Sequence, residues 1–482
     1  MVSRIAGTLA LLLALGLGGA TVVDGAPSQQ PLWRSAPPSP PPQTTGLPQQ
    51  IAATIAALQG LGAGGTTAGI AYVENYAHPN DGGGGIFVWL PTATTAPDNC
   101  ITFAASGAAT GLWQRQLNGT PFTVDMCGTG NADDGPAFNA AFQVCLNDQL
   151  VLTLPAKTYT IQEGLTVPSQ CAFYGAGRLG FYGALATVLD FRKAPASVTT
   201  LMSIVGNQTF GKYGVGTGFG GFEILDSYAL PRTAGLYVSR IANVHAADIG
   251  VYSVLGTGIF LGQQQQSTYR NLYVYTSGSP TQAEIDIDGE NSNGVDYVST
   301  TTSLYDVYAE VAGRQGTNCG IAINRNLMLT ITGGDSEANG NLVCVGNKPA
   351  KNGVGAVTIQ SFDMETPAAG SDCVNVGSAW SGAPGRGVVM MRLVGDACIP
   401  NTASGSTAFR IANTTGFYAE GNYVNSFAGQ TYFDFEGTNI NPQVAVNGSD
   451  GAATTYVMVN GSAVSNALVN QAWSAGGTTA AH

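Results

Sequence analysis

The sequence predicts an all-β chain: a right-handed parallel β-helix solenoid with an N-terminal capping helix and a small N-terminal neck subdomain. Three observations carry that expectation. From about residue 200, short apolar strands such as GFEIL at 221–225, NLYVY at 271–275, VYAEV at 307–311 and VTIQSF at 357–362 recur, separated by Gly, Asn, Ser and Asp. Their period of about 22–35 residues is that of stacked coils, none of which buries its apolar face alone. No helix-period segment longer than two turns intervenes, and parallel strands joined in one sheet cross over right-handedly. In addition, 66 of 482 residues are glycine and only 10% are charged, which suits short strands and tight turns. A pair of β-sandwiches is the competing architecture, but the Asn-Gly dipeptides do not fall between matched strands as hairpins require.

Taken in order, Arg4 precedes an apolar run from Ile5 to Val23, densest over Leu9–Leu17 and followed by Gly18, Gly19 and Ala20. Residues 1–20 have the form of a secretory signal peptide. A membrane anchor is the alternative, and the run is barely long enough to span. Residues 21–48, with the text SAPPSPPPQ, read as a Pro-rich linker. The neck subdomain takes 49–126. In QQIAATIAALQG at 49–60, Ile51, Ile55 and Leu58 stand at helical spacing and Gly60 ends the helix. Two strand-like stretches follow around Gly82–Gly85, which lacks the Lys-Ser/Thr of a P-loop and reads as a flexible turn. The β-helix itself takes 127–440, and 441–482 form a C-terminal tail or strand segment.

With 18 Lys+Arg against 30 Asp+Glu, the net charge of −12 excludes a nucleic-acid footprint and offers anionic lipid no basic patch. No membrane span is expected once the signal is cleaved. The eight cysteines fall into two groups of four, 100–171 and 319–398, and bridges are expected within each group. There is no C-x-x-C and no neighbouring histidine, which argues against zinc. The expected location is secreted or on a cell or virion surface.

The stretch CGTGNADDGPAFNAAFQVCLNDQLVLTLPAKTYTI at 127–161 resembles the opening of the pectate-lyase-like β-helix superfamily. Gly130, Asp133, Asp134, Ala137 and Ala140 match its first motif, and Leu154, Pro155 and Tyr159 its second, while Asn131, Pro136 and Lys157 depart from it. Asp133 and Asp134 would cap a helix starting at Gly135 or Pro136. Its face of Phe138, Ala141, Phe142 and Cys145 would plug the open end of the solenoid. The preceding DGGGGIFVW and GLWQRQL resemble the neck segment of phage tailspikes and polysaccharide depolymerases. The resemblance implies the β-helix fold and a polysaccharide partner, and by tailspike analogy alone a homotrimer. It does not fix an activity, because the fold hosts hydrolases, lyases and non-enzymes. The polygalacturonase residue pattern is absent, and Arg386 and Arg392 do not stand in a pectate-lyase loop.

The remaining chemistry is acidic. TITGGDSE at 330–337 aligns with TIQSFDME at 358–365 at a constant offset of 28, so Asp335 should lie over Asp363 and Glu337 over Glu365. Stacked pairs would stand about 4.8 Å apart and diagonal pairs about 8 Å. These separations approach those of retaining and inverting glycosidases respectively. Parity through Gly333 and Gly334 decides whether the patch forms. These four are the candidate catalytic residues. Asp286, Asp288 and Glu290 in EIDIDGEN read as a solvated strand face or a metal site, with Ca²⁺ the ion such carboxylates would take. No cofactor is required. Tyr269, Tyr273, Tyr275, Tyr305 and Tyr308 lie on two neighbouring coils and offer flat faces for sugar rings, with core packing the alternative. Two functional readings stand: an exported β-helix that binds a polysaccharide and cleaves it by hydrolysis or elimination, and a non-enzymatic surface or virion spike on the same fold.

Overall fold

The computed structural model describes residues 50–474, apart from 62–68, 179–185, 208, 210–211, 294, 311–318, 349–352, 369, 378–386, 400–406, 426–430, 438, 450–454 and 461–467. The expected signal peptide and linker therefore lie outside the described residues.

The neck is a five-stranded sheet. Gln50–Ala52 pairs in parallel with Ile70–Val73, and Gly85–Leu90, Leu112–Gln116 and Thr102–Ala104 extend the sheet antiparallel. Phe87, Trp89, Phe103 and Trp113 alternate toward one face and close on Ile55 and Leu58. The helix expected over 49–60 is shorter. It spans Ile55–Gly60 (α1), and Ile51 stands on the preceding strand, 73% exposed. Thr54 sets the start, its hydroxyl accepting from the Ala57 amide.

The glycine run is not a flexible turn. The Asp81 carboxylate accepts from the amides of Tyr76, Ala77, His78 and Gly83. The buried Arg115 guanidinium donates to the carbonyls of Gly83 and Gly84. A Cβ on Gly84 would come 2.3 Å from the Glu74 carbonyl, so glycine is required there by close approach.

Most of the rest of the described chain is one parallel ladder; outside it stand the antiparallel pair Glu290–Ser292 with Val295–Tyr297 and the pair Val388–Val389 with Thr414–Thr415. The ladder begins at Phe122–Thr123 and continues through Leu468–Ser474, so strands run beyond both 127 and 440. Equivalent residues stack coil on coil. One interior column reads Leu236, Ile259, Ile285, Ile321, Val343, Val374, Phe409 and Phe433, each fully or almost fully buried. That repeated burial explains why the apolar strands recur at coil period.

Helix Gly135–Asp148 (α2) carries Phe138 and Phe142 fully buried, in ring contact with Tyr159 and Phe173, so its face continues the core of the first coils. The two aspartates before it divide the work differently from a simple cap. Asp133 Oδ1 accepts from the Gly135 and Gln162 amides. Asp134 ties Gly130, Asn131 and Thr160 instead. Disulfides join Cys100–Cys127, Cys145–Cys171, Cys319–Cys344 and Cys373–Cys398, all within the two expected groups. The first ties the neck to the solenoid.

Candidate functional site

Successive coils turn a corner on a residue with positive φ: Asp248 (57°), Asn271 (50°), Asp306 (55°), Gly333 (69°) and Ser361 (54°). One left-handed residue bends a strand sharply, and Asp, Asn and Gly accept that conformation most readily. The corners bond to one another, Asn271 Nδ2 donating to Asp248 Oδ1 at 2.6 Å.

After the corner the strands alternate cleanly. Val307, Ala309, Ser336 and Met364 point into the core. Tyr308, Glu310, Asp335, Glu337, Asp363 and Glu365 therefore share the outer face. The parity that Gly333 and Gly334 left open is thus fixed by the corner. Asp335 pairs in register with Asp363, and Glu337 with Glu365, as the offset of 28 requires. Extended upstream, one column reads Tyr273, Tyr308, Asp335, Asp363 and the next Tyr252, Tyr275, Glu310, Glu337, Glu365. The face passes from aromatic to acidic along the solenoid axis.

The electrostatics follow from that crowding. Burial, reinforced by Asp363, Glu310, Glu365 and Glu337, pushes the Asp335 carboxyl up to about 7. Its Oδ1 is buried with no hydrogen-bond partner. Burial pushes Glu310 up too, against the lowering pull of the Tyr273 hydroxyl, which donates to Glu310 Oε2 at 2.9 Å. Burial and then Asp363 raise Glu365. Tyr273 is held on several sides: the Arg178 guanidinium lies 4.9 Å from its ring, Tyr275 stacks on it at 6.1 Å, and Tyr308 tilts against it at 6.1 Å. A carboxyl that keeps its proton near neutrality beside further carboxylates is equipped for acid–base chemistry, next to flat apolar rings.

Three of the five tyrosines, Tyr273, Tyr275 and Tyr308, join the carboxylates. Tyr269 does not. It is 1% exposed, and its hydroxyl donates to Gln264 inside the core. Tyr305 precedes the Asp306 corner and packs under the Arg270 guanidinium, 4.5 Å away, on the other side of that corner from the carboxylates. Across that corner a cleft of about 380 Å³ is lined by Tyr174, His245, Asp248 and Arg270.

The second acidic cluster is neither a solvated face nor arranged as a metal site. Asp286, Asp288 and Glu290 are each at least nine-tenths buried. Lys348 Nζ lies 2.5 Å from Asp286, Arg325 2.6 Å from Asp288 and Arg240 3.4 Å from Glu290. Protein cations take the place a Ca²⁺ ion would occupy. Among the described residues no group of three or more ligand-type side chains converges to hold a metal.

Sequence reasoning missed Glu310, Tyr252 and Arg178. Glu310 has a signal: SLYDVYAE at 303–310 aligns with 330–337 at an offset of 27, placing Glu310 on Glu337.

Residues 51–118 match the family model of the phage tail protein small four-stranded β-sheet domain. No curated protein matches the chain in sequence. Among solved structures, the chain is similar to PfbA, a surface adhesin of Streptococcus pneumoniae, at 14% identity and a TM-score of 0.52, over 74% of this chain and 92% of that one. It is similar to Pantoea stewartii WceF, described as a glycan biofilm modifying enzyme with a bacteriophage tailspike-like parallel β-helix fold. There the identity is 16% and the TM-score 0.49, over 74% of this chain. It is also similar to the gp49 tailspike of Acinetobacter baumannii bacteriophage Fri1, a capsular polysaccharide depolymerase, at 13% identity and a TM-score of 0.47, over 88% and 76% of the two chains. The chain spans 49% of the WceF chain. At these identities the likeness is one of fold: the chain is a parallel β-helix, the fold it shares with PfbA, preceded by a segment, 51–118, that matches the phage tail β-sheet domain model.

Proposed function

We propose that the chain binds a polysaccharide across its tyrosine columns and hydrolyses it at the adjoining carboxylates, with Asp335 as general acid and Glu337 as general base. The observation that carries this reading is the Asp335 carboxyl, pushed up to about 7 with a buried, unpartnered Oδ1. It holds a proton where a glycosidic oxygen needs one. Glu337 stands two residues along the same strand, about 6.7 Å away between Cα atoms. Carried out to the carboxyl groups, that spacing leaves room for a water that the base deprotonates, the inverting geometry. Asp363 lies beneath Asp335 and acts as a positioning residue, its charge keeping the acid protonated. The partly exposed Tyr275 and Tyr308 offer ring faces to neighbouring sugar units, with Tyr273, 6% exposed, packed behind them. We extend the proposal, by tailspike analogy, to a homotrimer and to a secreted, cell-surface or virion-surface location.

The test incubates the full chain with a panel of capsular, exopolysaccharide and plant polysaccharides, following reducing ends, absorbance at 232 nm and product anomer. Expected are new reducing ends without absorbance, and an inverted anomer by NMR. Asp335→Asn and Glu337→Gln should each lower turnover about 100-fold or more while binding persists. Rising absorbance would replace hydrolysis with elimination. Binding without cleavage would return the chain to the non-enzymatic spike.

A further inference from the structure

A second cleft, of about 310 Å³, opens on the sheet that carries Tyr237, Phe260 and Asp286. The corners at Gln266 and Asn271 separate it from the acidic patch. Its origin is a step in side-chain size along one register column, which runs Tyr237, Phe260, Asp286, Ala322. The two aromatic rings stack 4.7 Å apart at 12° and form an apolar wall. The column then drops to a carboxylate and a methyl group, leaving space beside them.

Two residues that line that space, Asp286 and Asn347, each hold a buried acceptor without a partner. Asp286, its side chain 9% exposed, commits Oδ2 to Lys348, while Oδ1 is buried and unbonded. Asn347 donates Nδ2 to Cys319 Sγ at 3.2 Å, which orients its amide and leaves Oδ1 buried and unbonded. Buried acceptors without donors are costly, so both call for a ligand rich in hydroxyl or N–H donors. The charges sum to neutrality: Lys348 and Arg325 face Asp286 and Asp288. A charged ligand would gain no counter-ion there. An apolar ring wall, two acceptors in want of donors, one ammonium donor and no net charge together match a pyranose ring carrying hydroxyls.

We propose that this cleft is a second carbohydrate site, specific for a neutral sugar unit and separate from the acidic patch. The assignment does not depend on the patch being catalytic. A long glycan engaged at both sites would gain avidity from the second, since tethering raises its effective concentration.

The test titrates the full chain with maltotriose, galactotriose and chitotriose, and with trigalacturonate as the charged probe, by calorimetry and ligand-observed NMR. At least one neutral trisaccharide should bind saturably, and trigalacturonate about tenfold more weakly or not at all. Asn347→Ala and Phe260→Leu should each weaken the neutral ligand about tenfold with an unchanged melting temperature. Tyr308→Ala, on the acidic-patch face, should leave its Kd unchanged. If Phe260→Leu unfolds, the partly exposed Asn347→Ala decides alone. The proposal fails if no neutral trisaccharide saturates or if trigalacturonate binds as tightly. It also fails if affinity survives both cleft variants, or is lost in Tyr308→Ala, which would place the ligand on the acidic patch.

Discussion

Two carboxylate clusters stand on this solenoid, built from the same residue types at the same alternating spacing, and they have opposite fates. Asp286, Asp288 and Glu290 are buried, and each faces a Lys or Arg side chain within 3.4 Å. Asp335, Glu337, Asp363 and Glu365, joined by Glu310, face one another across three coils, and the crowding raises Asp335 to about 7. The difference teaches that strand spacing brings carboxylates together, while what stands on the neighbouring coils decides their chemistry. Paired, they hold the fold. Left to repel, one of them keeps a proton.

The strongest way to break the comparison is to strip the paired cluster of its cation. Asp288 is 1% exposed, and removing Arg325 leaves it with only the longer, 3.3 Å contact to Lys348. Arg325→Ala should cost about 3 kcal/mol or more in denaturant unfolding, because it strands a buried charge. The double change Asp288→Leu with Arg325→Met should recover most of that loss. If Arg325→Ala is neutral, the cluster is not the structural element its burial indicates.

The open patch should respond in the opposite sense. Asp335 in the folded protein titrates near 7, against an unfolded value of 3.8. The stability tied to its proton is therefore fully present below 3.8 and is lost as pH rises through about 7. Asp335→Asn removes that loss. The variant should match the parent near pH 4 and exceed it by about 1–2 kcal/mol at pH 8, after discounting for the solvent that screens a half-buried group. Thermal unfolding across that range checks it. A variant no more stable at pH 8 would show that Asp335 is ionised like any surface carboxylate.

How much of this contrast was legible in the sequence follows from where each partner comes from. The stacking of Asp335 on Asp363 could be read because both lie in coils of equal length, so the offset of 28 is visible as text. Glu310 was harder to read because its coil reaches Glu337 at an offset of 27, not 28, and SLYDVYAE shares only its final Glu with TITGGDSE. The cations of the second cluster were hidden more deeply. Lys348 reaches Asp286 from 62 residues away and Arg325 reaches Asp288 from 37, and no local pattern marks either contact. The same holds for Tyr269 and Tyr305, whose inward or sideways direction is set by the corners at Gln266, Asn271 and Asp306. The helix at 135–148 and the buried Phe138 and Phe142 were legible because periodicity and the apolar face are local.

A smaller effect sharpens the catalytic half of the comparison. After burial, Asp363 is the largest contributor to the raised Asp335. Asp363→Asn should lower that carboxyl and move the basic limb of the pH–rate profile down by about half to one unit. The acidic limb, which reports the base, should move less. A profile unchanged on both limbs would separate Asp335 from turnover.

The smallest expected effect concerns Ca²⁺. A patch of carboxylates on an acidic solenoid invites a cation, and any ion bound only to the folded state adds stability as its concentration passes its Kd. A specific site, however, needs several oxygens converging on one point at about 2.3–2.6 Å. Here the side chains run in columns set by strand spacing, and no group of three ligand-type residues converges among those described. Millimolar CaCl₂ should therefore raise the melting temperature no more than NaCl of equal ionic strength, since both would act only by screening the mutual repulsion of the carboxylates. Above about pH 7, where Asp335 is ionised, Asp335→Asn should shrink that common gain, because it removes one of the repelling charges. A Ca²⁺ gain in excess of NaCl, reversed by chelator and abolished in Glu337→Gln, would turn the open patch into a metal site. It would also erase its contrast with the paired cluster, since both would then be neutralised by cations, one set supplied by the protein and the other by solution.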